Sequence, residues 1–165
     1  VIIQYAKTHP SALTPVRANP SDAGLDVFYS PTDELVKVFI APNTSRIIPT
    51  GLKFEIPHGF MLEVKNRSSV AAKRSLLVGA CVVDSGYNGE VFVNLHNVGV
   101  ESQAIKSGDK IAQLVMVPVL HPRPVETYER ELYASAVTIS GRGDGALGST
   151  DKNSESVQDG TKGEE

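Results

Sequence analysis

The sequence predicts an all-β fold: a sandwich, jelly roll or barrel with one short helix. Short runs rich in Val, Ile and Phe recur along the chain, and Pro, Gly, Asn and Asp punctuate them. Only one stretch offers a helix start, so alternating βαβ units are not indicated. At 165 residues the chain is most simply one domain with a single hydrophobic core.

Taken in order, "VIIQYA", "LDVFYS", "LVKVFIA" and "SRIIPTGLKFEI" are apolar or alternating, and "FMLEVK" continues the series. "SSVAAKRSLL" is the helix candidate, one or two turns long, with Ser68 or Ser69 placed to cap its start. "LLVGACVV" returns to β, and "VVDSGYNGEVFV" reads as a hairpin around a tip of Asp84, Gly86, Asn88 and Gly89. "EVFVNLHNV" and "KIAQLVMVPVL" complete the strands. After Leu120 the strand signal fades into "HPRPVETYERELYASAVTIS", expected to be an arm leaving the core. From Asp151 on, "DKNSESVQDGTKGEE" has almost no apolar content and is expected to be disordered. The expected division is therefore a core over 1–120, an arm over 121–150 and an acidic tail over 151–165.

Composition narrows the function. The net charge is −3, but the tail holds five acids against Lys152 and Lys162, leaving 14 acids and 14 bases in residues 1–150. A neutral body argues against a binder of nucleic-acid polymers, which would show a broad basic face. "VKNRSSVAAKR" is a local exception: Lys65, Arg67, Lys73 and Arg74 with no acid among them suit a small polyanion. No apolar run is long enough to span a bilayer, and the opening residues lack a basic region followed by an apolar one. One cysteine, Cys81, excludes an internal disulfide and a cysteine zinc cluster. These features point to a protein that is not secreted and works in a reducing compartment: cytoplasm, or nucleus in a eukaryotic or viral setting.

Several constellations could carry chemistry. "GRGDGALGST" (141–150) comes near the phosphate-loop pattern, but Ser149 stands where the lysine belongs and no strand or helix flanks it. Its Arg-Gly-Asp has no secretion signal behind it. What it offers is uncrowded backbone N–H groups, two hydroxyls and a cation, the makings of an anion nest. "NRSS" (66–69) opens the helix, where free N–H groups, serine hydroxyls and the Arg67 fork suit phosphate oxygens. Taken alone it reads first as a capped surface helix with a solvated arginine. Asp84 follows "ACVV" and could be held rigidly as a general base toward a water, although an aspartate at a turn is commonly there for turn chemistry. Tyr87 could pack on a sugar face or merely cover the turn. Asp22 and Asp26 flank Gly24 as turn acids or as helpers of a metal-bound phosphate, and Gln113 puts an amide inside an apolar strand, where it must find partners. The four histidines lie far apart, with no metal-ligand spacing.

"SDAGLDVF", "NRSSVA", "ACVVDSGYNGEV", "GDKIAQLV" and "RGDGALGST" together resemble, in order and spacing, the five motifs of the trimeric dUTPase family. The resemblance runs from about Ser21 to Thr150. It implies a β jelly roll of the β-clip kind, forming a homotrimer whose C-terminal arms are exchanged and whose three active sites each draw on all subunits. It implies hydrolysis of dUTP to dUMP and pyrophosphate, which keeps uracil out of DNA and supplies dUMP for dTMP synthesis, with Mg²⁺ carried mainly by the substrate phosphates. Carried over by motif, Asp84 is the general base toward water at the α-phosphorus. Cys81, Val82 and Val83 read the uracil edge, with Phe92 closing the slot. Tyr87 lies under the deoxyribose. Arg67, Ser68, Ser69 and Gln113 hold phosphates, and Asp26 assists the metal indirectly through water. Arg142, Leu147, Gly148, Ser149 and Thr150 form a lid from another subunit. The acidic tail is a candidate handle for a regulatory protein partner.

The chain departs from the family pattern at several positions. Asn66 replaces a common proline, Cys81 a common glycine, Asn88 a basic or long polar residue, and Ala146 a glycine. Leu147 stands where a phenylalanine usually covers the uracil. The related dCTP deaminase branch shares the fold and an Arg-Ser-Ser motif, but Tyr87 and the C-terminal glycine motif favour the pyrophosphatase. An aromatic cover on a base is worth about 1–3 kcal/mol. Leu147→Phe is therefore expected to lower KM for dUTP about fivefold or more with kcat unchanged; an unchanged KM would remove the stacking argument.

Overall fold

The computed structural model describes residues 2–33 and 37–133. They form eleven strands: β1 (Gln4–Lys7), β2 (Leu25–Phe28), β3 (Lys37–Ile40), β4 (Ser45–Pro49), β5 (Leu52–Glu55), β6 (Phe60–Lys65), β7 (Leu76–Val78), β8 (Val82–Val83), β9 (Phe92–Asn97), β10 (Gln103–Lys106) and β11 (Lys110–Pro118). Helix α1 (Ser68–Arg74) lies between β6 and β7. One compact unit covers Val1–Pro122, and a second begins at Arg123. The described part of that second unit contains a single helical turn, α2 (Glu129–Leu132), which the sequence reading did not single out.

All pairing is antiparallel, as short strands joined by short connections require. The largest sheet runs β2–β11–β6–β8; a second runs β4–β9–β7; β1 pairs with β5 and β10 with β3. Alternation aims one face of each strand inward. In β9, Val93, Leu95 and Asn97 are buried, while Phe92 and His96 face outward. The fully buried Ile48, Leu52, Leu62, Leu76 and Leu114 bring the sheets onto one core. The buried Asn97 amide is satisfied: its Nδ2 donates to the carbonyls of Ile40 and Glu101, both at 2.8 Å.

Three sequence expectations change in detail. "SRIIPTGLKFEI" is two strands in different sheets, because the chain turns at Thr50–Gly51, where Gly51 takes φ +69°. A Cβ on Gly51 would meet the Ala12 methyl at 2.5 Å. Neither serine caps α1. Arg67 is the N-cap residue and makes no side-chain cap bond, while Ser75 ends the helix in the left-handed region. "VVDSGYNGEVFV" is not a laddered hairpin either: β8 pairs with β6, and β9 with β4 and β7.

Gly51→Ala adds both backbone strain and a methyl clash, whereas Gly59 (φ +86°) has open space around its missing Cβ. Urea unfolding is expected to show a loss of at least about 2 kcal/mol for Gly51→Ala, and about 1 kcal/mol for Gly59→Ala. Equal losses would mean that the Ala12 contact relaxes freely.

Candidate active site

The β2–β11–β6 part of the large sheet sets a polar row. Register pairs Asp26 with Gln113, and Gln113 with Lys65, so three polar residues stand side by side across three strands. The chain then leaves β6 into Asn66 and Arg67. Arg67 Nε donates to Asp26 Oδ1 at 2.8 Å, and Lys110 Nζ donates to Asp26 Oδ2 at 2.8 Å. The Asp26 carboxylate, only 13 % exposed, is thus held from both sides by cations. Glu63 hydrogen-bonds Lys65 and raises the lysine's pKa above its ordinary value, so this neighbour of Gln113 stays cationic.

Gln113 is fixed at both ends of its amide. Its Nε2 donates to the Asn66 carbonyl at 2.9 Å, and a Cβ on Gly24 would lie 2.2 Å from its Oε1. Gly24 is therefore the space that Gln113 occupies. Asn66 Oδ1 accepts from the Val78 N–H at 2.7 Å, tying the loop before α1 to β7. Proline has no such acceptor, so the departure at position 66 comes with its own anchor. Ser68 and Ser69 open α1 on the exposed surface.

A second group surrounds a cavity of about 220 Å³ lined by Val82, Val83, Asp84, Tyr87, Glu90, Val91 and Phe92. The cavity exists because β8 and β9 do not ladder with one another. Cys81 gives its carbonyl to Val64 N–H at 2.7 Å and stands just outside the lining. Antiparallel alternation then turns the N–H and C=O of Val82 away from β6, toward the open side. Tyr87 N–H donates to the Asp84 carbonyl at 3.0 Å and its hydroxyl to the Glu90 carbonyl at 2.7 Å. Glu90 Oε1 in turn accepts from Gly51 N–H at 2.8 Å, so the turn between β4 and β5 steadies the slot. Tyr87 also lines a separate cavity of about 360 Å³ with Tyr5, Phe54, Ser85 and Asn88.

One protomer does not bring the two groups together. β8 runs antiparallel to β6 with Val83 opposite Leu62, which places Asp84 beside Met61. Arg67 lies six residues further along, about 20 Å at the rise of a strand. Asp26, Arg67, Gln113 and Lys110 thus form one half-site, and Asp84, Tyr87 and Phe92 another.

Sequence reading missed three contributors: Lys110, Asn66 in its anchoring role, and Glu90. Lys110 lies inside "GDKIAQLV", and its adjacency to a motif was the available signal. Arg142, Leu147, Gly148, Ser149 and Thr150 lie outside the described residues. Among the described residues no three His, Cys, Asp or Glu side chains cluster around a metal position. Asp26 is the metal candidate. Both of its oxygens are engaged, yet a carboxylate has about four lone-pair sites, so it fits a metal only through a bridging water.

A family model described as dUTPase matches residues 11–145. A deoxyuridine 5'-triphosphate nucleotidohydrolase of Picosynechococcus sp. is 35% identical over 150 residues, covering 90% of this chain and 97% of the relative. A protein of the same description from Desulfitobacterium hafniense is 38% identical over 154 residues, covering 91% and 95%. Among solved structures, a mutant of the dUTPase from phage phi11 of S. aureus, described as coordinating a structural Mg(II) ion, superposes with a TM-score of 0.70 at 26% identity, covering 79% and 99%.

The Gly24–Gln113 contact can be tested directly. Gly24→Ala should displace the Gln113 amide and also press on the Gln113 Cβ, 2.9 Å from the added methyl, so the melting midpoint is expected to fall as well. A misplacement of about 1 Å can cost about 100-fold, so turnover is expected to fall at least about tenfold. Wild-type turnover would show that Gln113 does not need this seat.

Proposed function

The chain belongs to the dUTPase family, and from that premise we propose how it hydrolyses dUTP to dUMP and pyrophosphate. The observation that carries the reading is the open slot between β8 and Phe92, with Asp84 at its mouth. Main-chain groups on the open side of Val82, together with Cys81, Val83 and Phe92, read the uracil edge. Cytosine is rejected because its 4-amino donor meets the wrong partner. Tyr87, braced by its hydroxyl bond to the Glu90 carbonyl, lies under the deoxyribose and leaves no room for a 2′-hydroxyl. Asp84 accepts a proton from water as its oxygen attacks the α-phosphorus, and the bond to the bridging oxygen breaks to release pyrophosphate.

Arg67, Ser68, Ser69 and Gln113 hold the phosphates. Arg67 is suited to this because Asp26 engages it through Nε, leaving both Nη groups without a hydrogen-bond partner among the described residues. Mg²⁺ carried by the triphosphate would neutralise charge on the phosphate oxygens, and Asp26 would help hold it through water. Arg142, Leu147, Gly148, Ser149 and Thr150 close over the triphosphate and exclude bulk water.

The separation of the half-sites supports a homotrimer in which Asp84 of one subunit faces Arg67 and Gln113 of another. The outward face of the β4–β9–β7 sheet also favours association: Ile47, Leu77 and Phe92 are exposed there, and Asn94 Oδ1 is buried without a partner. No helix among the described residues is long and apolar enough to cross a membrane; the location proposed is cytoplasmic or nuclear. The tail over 151–165 remains a handle for a protein partner.

A panel of dUTP, dCTP, dTTP and UTP with Mg²⁺, followed for pyrophosphate and ammonia, tests the assignment. Pyrophosphate from dUTP alone is expected, and ammonia from dCTP would overturn it in favour of the deaminase branch. Asp84→Asn is expected to bind dUTP while kcat falls about 100- to 10,000-fold. Wild-type turnover by that variant would remove Asp84 as the base.

A further inference from the structure

We infer that Lys110 is a positioning residue for the phosphate half-site, setting its net charge and freeing Arg67 for substrate. The inference rests on the dUTP-hydrolysing reading and adds a residue to it. Lys110 reaches Asp26 through an irregularity in β11. Strict alternation from Gln113 would send Ala112 inward, Ile111 outward and Lys110 into the core. Instead the β11–β2 register slips by one residue between Lys110 and Ala112. Ile111 and Ala112 are both buried, and Lys110 emerges on the face that carries Asp26 and Gln113. A bulge of this kind re-aims a side chain at a local cost in ladder bonds. Here it delivers an ammonium to Asp26 Oδ2 at 2.8 Å, with the Phe28 ring 5.9 Å from the nitrogen.

The charge arithmetic gives this placement its meaning. Asp26 and Arg67 alone would form a neutral pair, a poor seat for a triphosphate. Lys110 brings the cluster to one net positive charge. It also engages Oδ2, while Arg67 meets Oδ1 through Nε. Arg67 then remains attached through Nε only, with its two Nη groups turned to other use. Lys110 does this without touching substrate.

The test compares KM, kcat and inhibition by deoxyuridine in wild type, Lys110→Met, Lys110→Gln and Lys110→Arg. Both neutral variants are expected to raise KM for dUTP about tenfold or more, with kcat within about threefold, because the lost charge acts on bound phosphate generally. Inhibition by deoxyuridine, which lacks phosphates, stays at the wild-type level, and Lys110→Arg restores KM to within about threefold. An unchanged KM in either neutral variant, equal weakening of deoxyuridine, or failure of arginine to rescue would each overturn the inference. A wild type that releases no pyrophosphate from dUTP would instead overturn the activity on which it rests.

Discussion

The antiparallel register of the β2–β11–β6–β8 sheet is the constraint on which the rest depends. Pairing Gln113 with both Asp26 and Lys65 assembles the polar row proposed to hold phosphates. Pairing Val83 with Leu62 sends Asp84 to the opposite end of β6. A slip of one residue would turn every side chain of the moved strand to the other face, burying the polar row or exposing the core. The same hydrogen bonds that stabilise the sheet therefore hold the two groups apart within a single chain.

Inside each half, short chains of polar contacts replace bulk packing as the source of precision. On one side, Val78, Asn66, Gln113 and Gly24 follow one another through two hydrogen bonds and one close approach. On the other, Gly51, Glu90 and Tyr87 make a comparable series that starts at a left-handed turn. Both series begin in backbone away from the reacting atoms. Each therefore passes the rigidity of an ordered element to one side chain, Gln113 in the first and Tyr87 in the second.

Much of this was legible in the sequence. Alternating Val and Ile runs located the strands, and the order of five short motifs pointed to the family, because residue type and spacing carry those signals. What could not be read is how the strands share sheets. "VVDSGYNGEVFV" looks like a hairpin because local turn chemistry is all that the sequence displays there, while the partners that win β8 and β9 are distant in the chain. Lys110 was hidden for a related reason: in a strict two-residue alternation it belongs inside, and only the slipped register turns it out. Ser68 and Ser69 looked like caps by type, but Arg67 took the cap position.

The slot between β8 and β9 also has a colloidal side. As the edge of its sheet, β8 leaves the main-chain groups of Val82 unladdered, and with Val82 and Phe92 exposed beside it this edge is a template on which another extended chain could add. β9, whose pairing goes to β4 and β7, does not close it. Asp84 and Glu90 flank the opening, and such charges act as gatekeepers against edge-to-edge aggregation. The carboxylate proposed as the base thus also places a charge beside the open edge.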